Sequence, residues 1–395
     1  MIKRTPPLSL FIAGFLQSTA YGGSFLLAFC LADAGHPDLT ARILFLATCG
    51  TLLAVPAGGH LADRLGLGRA AALGGAMLAL GCAILALTLW LAPNQRFVLT
   101  LAGLPLGIGW GWCYTVTPML LSALVTDEQR VAQFSYFSAC VMAGIGCGPI
   151  IGRALLPTLG ASGLFAMAAL AAAIAGGLLS RLHPPLDHVR LPARLTGQGV
   201  RAVLAGEMRW PVVMVFLGAS CFSVMANFQD RFAADRGLNP DFYFAAYTIA
   251  VIAGRFALGG WSGRQPPYAM AGTTLLIMTL ALIGFGMLGN VVPIYLIIAA
   301  AFGIGYGLTY PVIKALAVNL SPHAHRDHTL LMFSLAYFLG IFGFPALAAP
   351  IIHSFGLMPI LLSAMVLATL ETSLAWWRWY HARRSRAIEK APEAA

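Results

Sequence analysis

The chain has 395 residues, of which 59% are hydrophobic and only 10% charged, and its mean hydropathy is +0.81. Soluble domains carry roughly a quarter charged residues, so this composition excludes a soluble globular protein and points to a polytopic membrane protein. The formal net charge of +10 follows from which loops carry the arginines, and it argues for no nucleic-acid partner.

Runs of about 20 apolar residues cross a hydrocarbon core of roughly 30 Å as helices. With no water there, each backbone polar group is paired within its own segment or in a closed barrel. The runs are continuous rather than alternating, which predicts an all-α membrane protein and not an outer-membrane-type barrel. Twelve spans are predicted in chain order, near 9–32, 40–60, 70–91, 97–121, 132–154, 160–181, 210–232, 242–262, 267–288, 291–318, 329–353 and 357–379. The first follows Lys3-Arg4, as a secretory leader would. It has no small-residue cleavage site and eleven spans follow it, so it is read as a retained helix. With the N-terminus inside, 17 of the 24 Lys and Arg fall in cytoplasmic segments. The outer loops hold five, Arg42, Arg96, Arg153, Arg231 and Arg236, while Arg255 and Lys314 lie inside spans. The positive-inside rule then predicts a cell (inner) membrane protein with both termini cytoplasmic. All seven cysteines fall within spans at no metal-ligand spacing, so neither a metal nor another cofactor is expected.

Between the second and third spans stands "GGHLADRLGLGR", 58–69. Gly59 and Gly66 allow two helices to approach and the loop to turn tightly. Asp63 is placed to meet the N-terminus of the eleventh span, expected to begin near His328 to Leu330. Such a contact is worth about 0.3–1 kcal/mol when exposed and up to about 2 kcal/mol when partly buried. A solvated turn with a helix cap is the alternative. In the fifth span, "GIGCGPIIGR" (144–153) sets Gly144, Gly148 and Gly152 in a smooth stripe for close packing, and Pro149 bends the helix. The longest polar stretch, 183–209, is rich in Pro and Arg and reads as a linker, with a short amphipathic helix on the membrane surface. It separates a six-span bundle, 1–182, from a second, 210–380, which ends in a basic tail, 381–395.

The two halves resemble each other. "GIGWG" (107–111) recurs as "GIGYG" (303–307), an offset of 196 that also carries Tyr114 onto Tyr310, Arg130 onto Arg326, Gly144 onto Gly340 and Pro149 onto Pro345. "ADAG" (32–35) likewise matches "ADRG" (234–237). Such repeats are expected of transporters whose two bundles rock about a site near the midplane. "GGWSGR" (259–264) is a worn copy of the first loop motif, in which Arg264 matches Arg64 but Gly263 replaces the aspartate.

Twelve spans, a central linker and the loop motif together resemble the major facilitator superfamily. Its signature G-x-L-a-D-R-x-G-R-K is met by Gly59, Leu61, Asp63, Arg64 and Gly66, with Leu67 and Gly68 in place of the usual basic residues and Arg69 one place late. The resemblance implies two pseudo-symmetric six-helix bundles and a cytoplasmic gate, here Gly59, Asp63, Arg64, Gly66, Arg130, Arg255 and Arg264. The glycine-proline stripe is similar to the family's antiporter motif, g-x-x-x-G-P-x-x-G-G, through Gly144, Gly148, Pro149 and Gly152, with Arg153 at the last glycine position. That match implies export. The R-x-x-q-G pattern of drug/proton exporters is not met, because Gly103 stands at the arginine position.

The resemblance further implies that spans 1, 4, 7 and 10 line the cavity, which makes Gln17, Tyr21, Trp110, Tyr114, Asn227, Tyr310 and Lys314 the substrate-binding candidates. Gly303, Gly307, Tyr310 and Lys314 fall within an arc of about 60° on a helix of 3.6 residues per turn. An ionisable residue inside a span is a functional candidate by default. Lys314 either meets an anionic substrate group or snorkels to the headgroups. Proton coupling needs a group that changes charge, and the acidic residues within spans are Asp230 and Glu371. Glu371 is also read as one partner of a structural pair. Asp33 and Asp235, at outer ends, read as capping groups or as partners in loop salt bridges.

The leading expectation is a monomeric secondary active transporter that moves a small organic solute through the bilayer by alternating access. Export is favoured, of a metabolite, siderophore or drug, with protons as the candidate coupling ion. The alternative is import of a sugar or organic anion, and a membrane receptor or enzyme ranks lower. No P-loop, H-E-x-x-H motif or paired Cys/His set suggests an enzyme or ATP-driven pump, and "SPHAHRDH" (321–328) reads as a solvated connector.

Overall fold

The computed structural model describes residues 6–36, 38–183 and 195–390, and no strand occurs among them. Twelve transmembrane helices are named α1 to α12. α1 runs from Leu8–Gly23 through a tighter turn at Ser24–Leu26 into Leu27–Asp33. α2 is Leu39–Leu65, α3 Leu67–Leu91, and α4 joins Arg96–Leu101 to Gly103–Leu124. Asp127–Ser180 is continuous except at Gly160, whose φ of 64° and ψ of −178° break it into α5 and α6. α7 comprises Arg209–Asn227 and Gln229–Ala234; α8 is Pro240–Ser262, α9 Pro267–Met287 and α10 Val292–Asn319. α11 is Arg326–Phe338 and Phe344–Phe355 joined by a π-turn at Leu339–Gly343, and α12 is Met358–Lys390. Nine of the described helices are long and apolar enough to cross a bilayer. The count reaches twelve because the longest is two spans and because breaks divide α1 and α11 into short pieces. Large apolar side chains such as Phe45, Leu170, Ile297 and Val366 are exposed, as lipid-facing positions require.

The chain divides into two compact units, one of Met1–Glu207 with Val318–Leu335, the other of Met208–Ala317 with Ala336–Ala395. In the first unit, glycines bring helix backbones together. Gly144 of α5 lies against the Phe15 carbonyl of α1, and a Cβ at Gly148 would sit 2.6 Å from the Thr19 carbonyl oxygen. Gly107 of α4 lies against the Ala47 carbonyl of α2, and Gly109 against Leu78 of α3. Gly75 of α3 meets Gly176 of α6. Close approach of this kind lets packing forces operate where no hydrophobic drive exists between helices in lipid.

The second unit repeats the scheme within itself. Gly340 of α11 packs on α7, where its Cβ would sit 2.8 Å from both the Phe216 carbonyl oxygen and the Ala219 methyl. Gly303 of α10 packs on the Tyr247 carbonyl of α8, and Gly305 on Met278 of α9. α12 lies along α9, with Thr279 and Thr372 hydroxyls 2.9 Å apart. The offset-related pairs Gly107 and Gly303, Gly109 and Gly305, and Gly144 and Gly340 thus make matching contacts. The π-turn of α11 leaves carbonyls off the helical ladder, and Ser223 of α7 donates to that of Ile341 at 2.7 Å.

In the linker region, Gly197–Ala205 forms a short helix capped by Thr196, whose hydroxyl accepts from the Gly199 amide at 3.0 Å. Its buried residues face protein, with Val203 fully covered and Gly199 against the His328 ring. Residues 184–194, within the predicted linker, and 391–395, within the predicted tail, lie outside the described residues.

Gly148→Leu forces a side chain into the α1 backbone, an overpacking that typically costs about 1–3 kcal/mol. Gly177→Ala, where nothing lies within 4 Å of an added Cβ, is expected to stay within about 0.5 kcal/mol. Thermal melts of the two detergent-purified variants, compared with the parent chain, separate these outcomes.

Candidate functional site

Aromatic rings bring α1 and α4 together in the first unit. Tyr21 stacks on Trp110 with centroids 3.9 Å apart and planes at 6°, and Tyr114 follows one turn on, at 5.8 Å from Trp110. Gln17, one turn before Tyr21, is buried, and its Nε2 has no hydrogen-bond partner among the described residues. Three of the predicted binding residues therefore form one aromatic ladder, with a buried amide on the same helix. Gly107 and Gly111 do not share that role: the Thr51 hydroxyl of α2 donates to the Gly107 carbonyl at 3.0 Å, and Gly111 packs on α2.

A related stack exists in the second unit. Phe222 of α7 lies on Tyr306 of α10, at 4.8 Å and 7°. Sequence reasoning did not select Tyr306, although the offset of 196 carries Trp110 onto it. Tyr310, one turn along, makes an edge contact with Tyr337 at 5.3 Å. Lys314 is 5% exposed, and its Nζ donates to the Tyr310 hydroxyl at 3.4 Å. That burial removes the snorkelling alternative, since the ammonium turns towards protein rather than headgroups. Asn227 is exposed and bonds back along its own helix, donating to the Ser223 carbonyl at 2.8 Å.

The predicted gate residues fall in separate places. Gly66 takes φ 78°, the left-handed turn that joins α2 to α3. Gly59 is buried in α2, whereas Asp63, Arg64 and Arg264 are exposed. Arg255, 1% exposed, sits in the α8–α10 contact, where its Nε donates to the Gly307 carbonyl at 2.7 Å. α11 starts at Arg326, a little earlier than expected, behind a short turn at His323–His325.

The charged centre of the first unit holds one predicted gate residue, Arg130, and two residues that the sequence reading did not select, Asp127 and Arg326. Asp127, in the first turn of α5, accepts from Arg130 at 2.8 Å and from Arg326 at 2.7 and 2.9 Å. Arg130 is fully buried and also donates to Asn319, whose own amide reaches the Asp127 carbonyl at 3.2 Å. The repeat-related arginines Arg130 and Arg326 thus converge on one carboxylate. A negative charge at the start of α5 is favoured by the helix dipole as well. The i,i+3 spacing of Asp127 and Arg130 was available in the sequence; that Arg326 shares the carboxylate was not.

The stripe Gly144, Gly148 and Gly152 faces α1 or its neighbours, and Pro149 lies inside α5 with the helix continuing past it. Of the proton-coupling candidates, the Asp230 side chain lies outside the described residues. Glu371 is fully buried in α12, and in place of the expected structural pair both its carboxyl oxygens have no hydrogen-bond partner among the described residues.

The major facilitator superfamily model matches residues 10–345. The chain belongs to this family of membrane transporters. No curated protein matches its sequence significantly. Similar solved structures include the E. coli fucose:proton symporter FucP, at 15% identity over 94% of this chain and 98% of that one, with a TM-score of 0.78. The human organic anion transporter MFSD10 shares 17% identity over 94% and 100% of the chains, with a TM-score of 0.78. A bacterial homologue of the iron transporter ferroportin, in an outward-facing state, shares 14% over 95% and 99%, with a TM-score of 0.77. These likenesses establish the fold: a multi-pass, all-α bundle of the superfamily.

A double-mutant cycle with Asp127→Asn and Arg326→Gln tests the charged centre. Groups in one ion-pair network couple by about 0.5–3 kcal/mol, so thermal melts should show less loss in the double variant than the two single losses summed. Strict additivity would show that the two side chains do not interact.

Proposed function

We propose that the chain is a secondary active transporter that exports a small organic solute bearing an acidic group, by alternating access, from a cell (inner) membrane with both termini cytoplasmic. The observation that carries the solute class is the buried Lys314 ammonium on Tyr310. An ionisable residue within a span is a functional candidate, and a carboxylate, phosphate or hydroxamate is the class of group that complements an ammonium. In the second unit Lys314 and Tyr310 hold the acidic group; in the first unit the Tyr21–Trp110–Tyr114 ladder offers a stacking surface and Gln17 an amide. The glycine stripe of α5, packed on the α1 backbone, supports export by sealing that helix pair against leak. Asp63, Arg64 and the Asp127 centre serve as the gate, where a few kcal/mol suffices to bias a two-state equilibrium.

Import of a sugar or organic anion is the second reading, favoured by the likeness to symporters named for fucose and xylose. The two readings differ in sign in one assay. Everted vesicles are incubated in separate runs with carboxyfluorescein, ethidium and radiolabelled fucose, or preloaded with each, with and without an imposed pH gradient. Export of an acidic solute predicts saturable accumulation of carboxyfluorescein that Lys314→Ala reduces by roughly tenfold or more. Movement only out of everted vesicles would replace export by uptake, and accumulation of fucose alone would replace the acidic solute by a sugar.

The worn second copy of the loop motif gives a further expectation. Asp63→Asn should depress transport more than Gly263→Ala does, because the aspartate exists only in the first copy. Equal effects in the same vesicle assay would remove Asp63 from the gate.

A further inference from the structure

Glu371 of α12 is fully buried, and its carboxyl group packs where α7 makes room with a glycine. A Cβ at Gly218 would lie 3.0 Å from Oε2. Beside it is a cavity with about 10 Å³ of room for the centre of a water molecule, lined among others by Glu371, Gly218, Tyr306, Thr309 and Tyr310. That is about the space one water needs, and the Glu371 carboxyl on its wall has no hydrogen-bond partner among the described residues. Thr309 is committed elsewhere: its hydroxyl donates to the Gly305 carbonyl at 2.7 Å and meets that of Thr274 at 2.6 Å. Tyr310 links the cavity to Lys314 through the 3.4 Å contact of hydroxyl and ammonium.

The other titratable groups on the elements around Glu371 are few. α7 contributes Cys221, whose thiol donates to the Ala364 carbonyl of α12 at 3.3 Å. α10 contributes Tyr306, Tyr310 and, beyond them, Lys314. α9 carries only Tyr268, near its start, and the Phe344–Phe355 part of α11 only His353, whose side chain lies outside the described residues. Arg378, farther along α12, engages the rings of Trp210, Tyr268 and Trp377. No cation is bonded to the carboxyl among the described residues. An ionised carboxylate without partners in a low-dielectric interior is far costlier than the neutral acid, so this packing suits a protonated Glu371.

We infer that Glu371 is a proton-binding site of the second unit, holding its proton as the neutral acid here and exchanging it through a water in the cavity among α7, α10 and α12. On release, the O–H bond of the acid breaks, its electron pair stays on the carboxylate, and the proton passes to the water as hydronium. The Lys314 ammonium beyond Tyr310 is the charge that then offsets the carboxylate. Resting on the transport reading above, the same exchange couples proton movement to solute movement. The site lies on the twelfth helix, outside the four cavity-lining helices that the family resemblance would nominate.

Two measurements decide the two parts separately. Infrared pH-difference spectra of the full chain in lipid should show a protonated-carboxyl C=O band near neutral pH that bleaches on alkalinisation. The band should be missing in Glu371→Gln, an isostere of the neutral acid that keeps the fold, and displaced in Tyr310→Phe. A spectrum unaltered by Glu371→Gln would overturn the proton site, whatever the chain transports. For coupling, carboxyfluorescein is followed in everted vesicles, comparing pH-gradient-driven accumulation with counterflow in the same preparation. Glu371→Gln should lower the ratio of the two by roughly tenfold. An unchanged ratio, with the infrared band assigned, would overturn the coupling and leave the transport reading intact. Absence of movement for carboxyfluorescein, ethidium and fucose alike would overturn the transport reading and the coupling with it, and the infrared result would still decide the proton site.

Discussion

Lipid offers no hydrogen bonds, and everything in this fold depends on how the chain answers that constraint. Each span closes its own backbone ladder as a helix, and wherever the ladder breaks another group supplies the missing partner. The π-turn of α11 shows this most directly, with the Ser223 hydroxyl of α7 donating to the Ile341 carbonyl. Helices so closed have little reason to associate in lipid except surface fit, and glycine provides it. The contacts of Gly107 with α2, Gly303 with α8, Gly144 with α1 and Gly340 with α7 are one solution used in each unit. Those pairings hold the aromatic ladders in place, so the groups best suited to bind a solute stand on a frame of backbone contact.

Charge is the second thing lipid penalises, and each buried charge here has a particular setting. Arg255 rests on the Gly307 carbonyl of the facing helix. Arg130 is enclosed by Asp127 and Asn319. Lys314 has the Tyr310 hydroxyl. Glu371 is the contrast, an acid whose oxygens meet no donor among the described residues. Breaking a buried charge pair costs more than the pair contributes, because the remaining charge is left uncompensated. Arg130 is therefore a fixed point of the first unit rather than a free switch, whereas the more open Asp127–Arg326 bond can rearrange.

The two similar halves of the chain are unequal in their chemistry. Repeat-related arginines, Arg130 and Arg326, share a single carboxylate, and the position corresponding to Asp127 is His323. Trp110 has become Tyr306, and the stack on it uses Tyr21 in one unit and Phe222 in the other. The packing glycines are kept because a Cβ would meet backbone, which cannot move aside. Side chains facing solute or solvent are under no such steric bound, and there the two copies have diverged.

Much of this was legible in the sequence for simple physical reasons. Continuous apolar runs of span length fix the helices and the membrane, and the glycine offset fixes which helices pair alike. Helix periodicity also placed Tyr310 and Lys314 on one face. Other features required the folded chain. Nothing local to Lys314 decides between headgroups and protein, because both environments accept a long side chain. The convergence of Arg326 on Asp127 and the assignment of Val318–Leu335 to the first unit join residues almost two hundred positions apart. The setting of Glu371, whose oxygens have no hydrogen-bond partner among the described residues, depends on what α7, α9 and α10 bring to it. Sequence by itself determined which segments enter the bilayer and which glycines let them touch, since both are set by composition and spacing within one helix. Tertiary structure alone decided which charges meet and which acid is set apart from them, because that is a property of the space between helices.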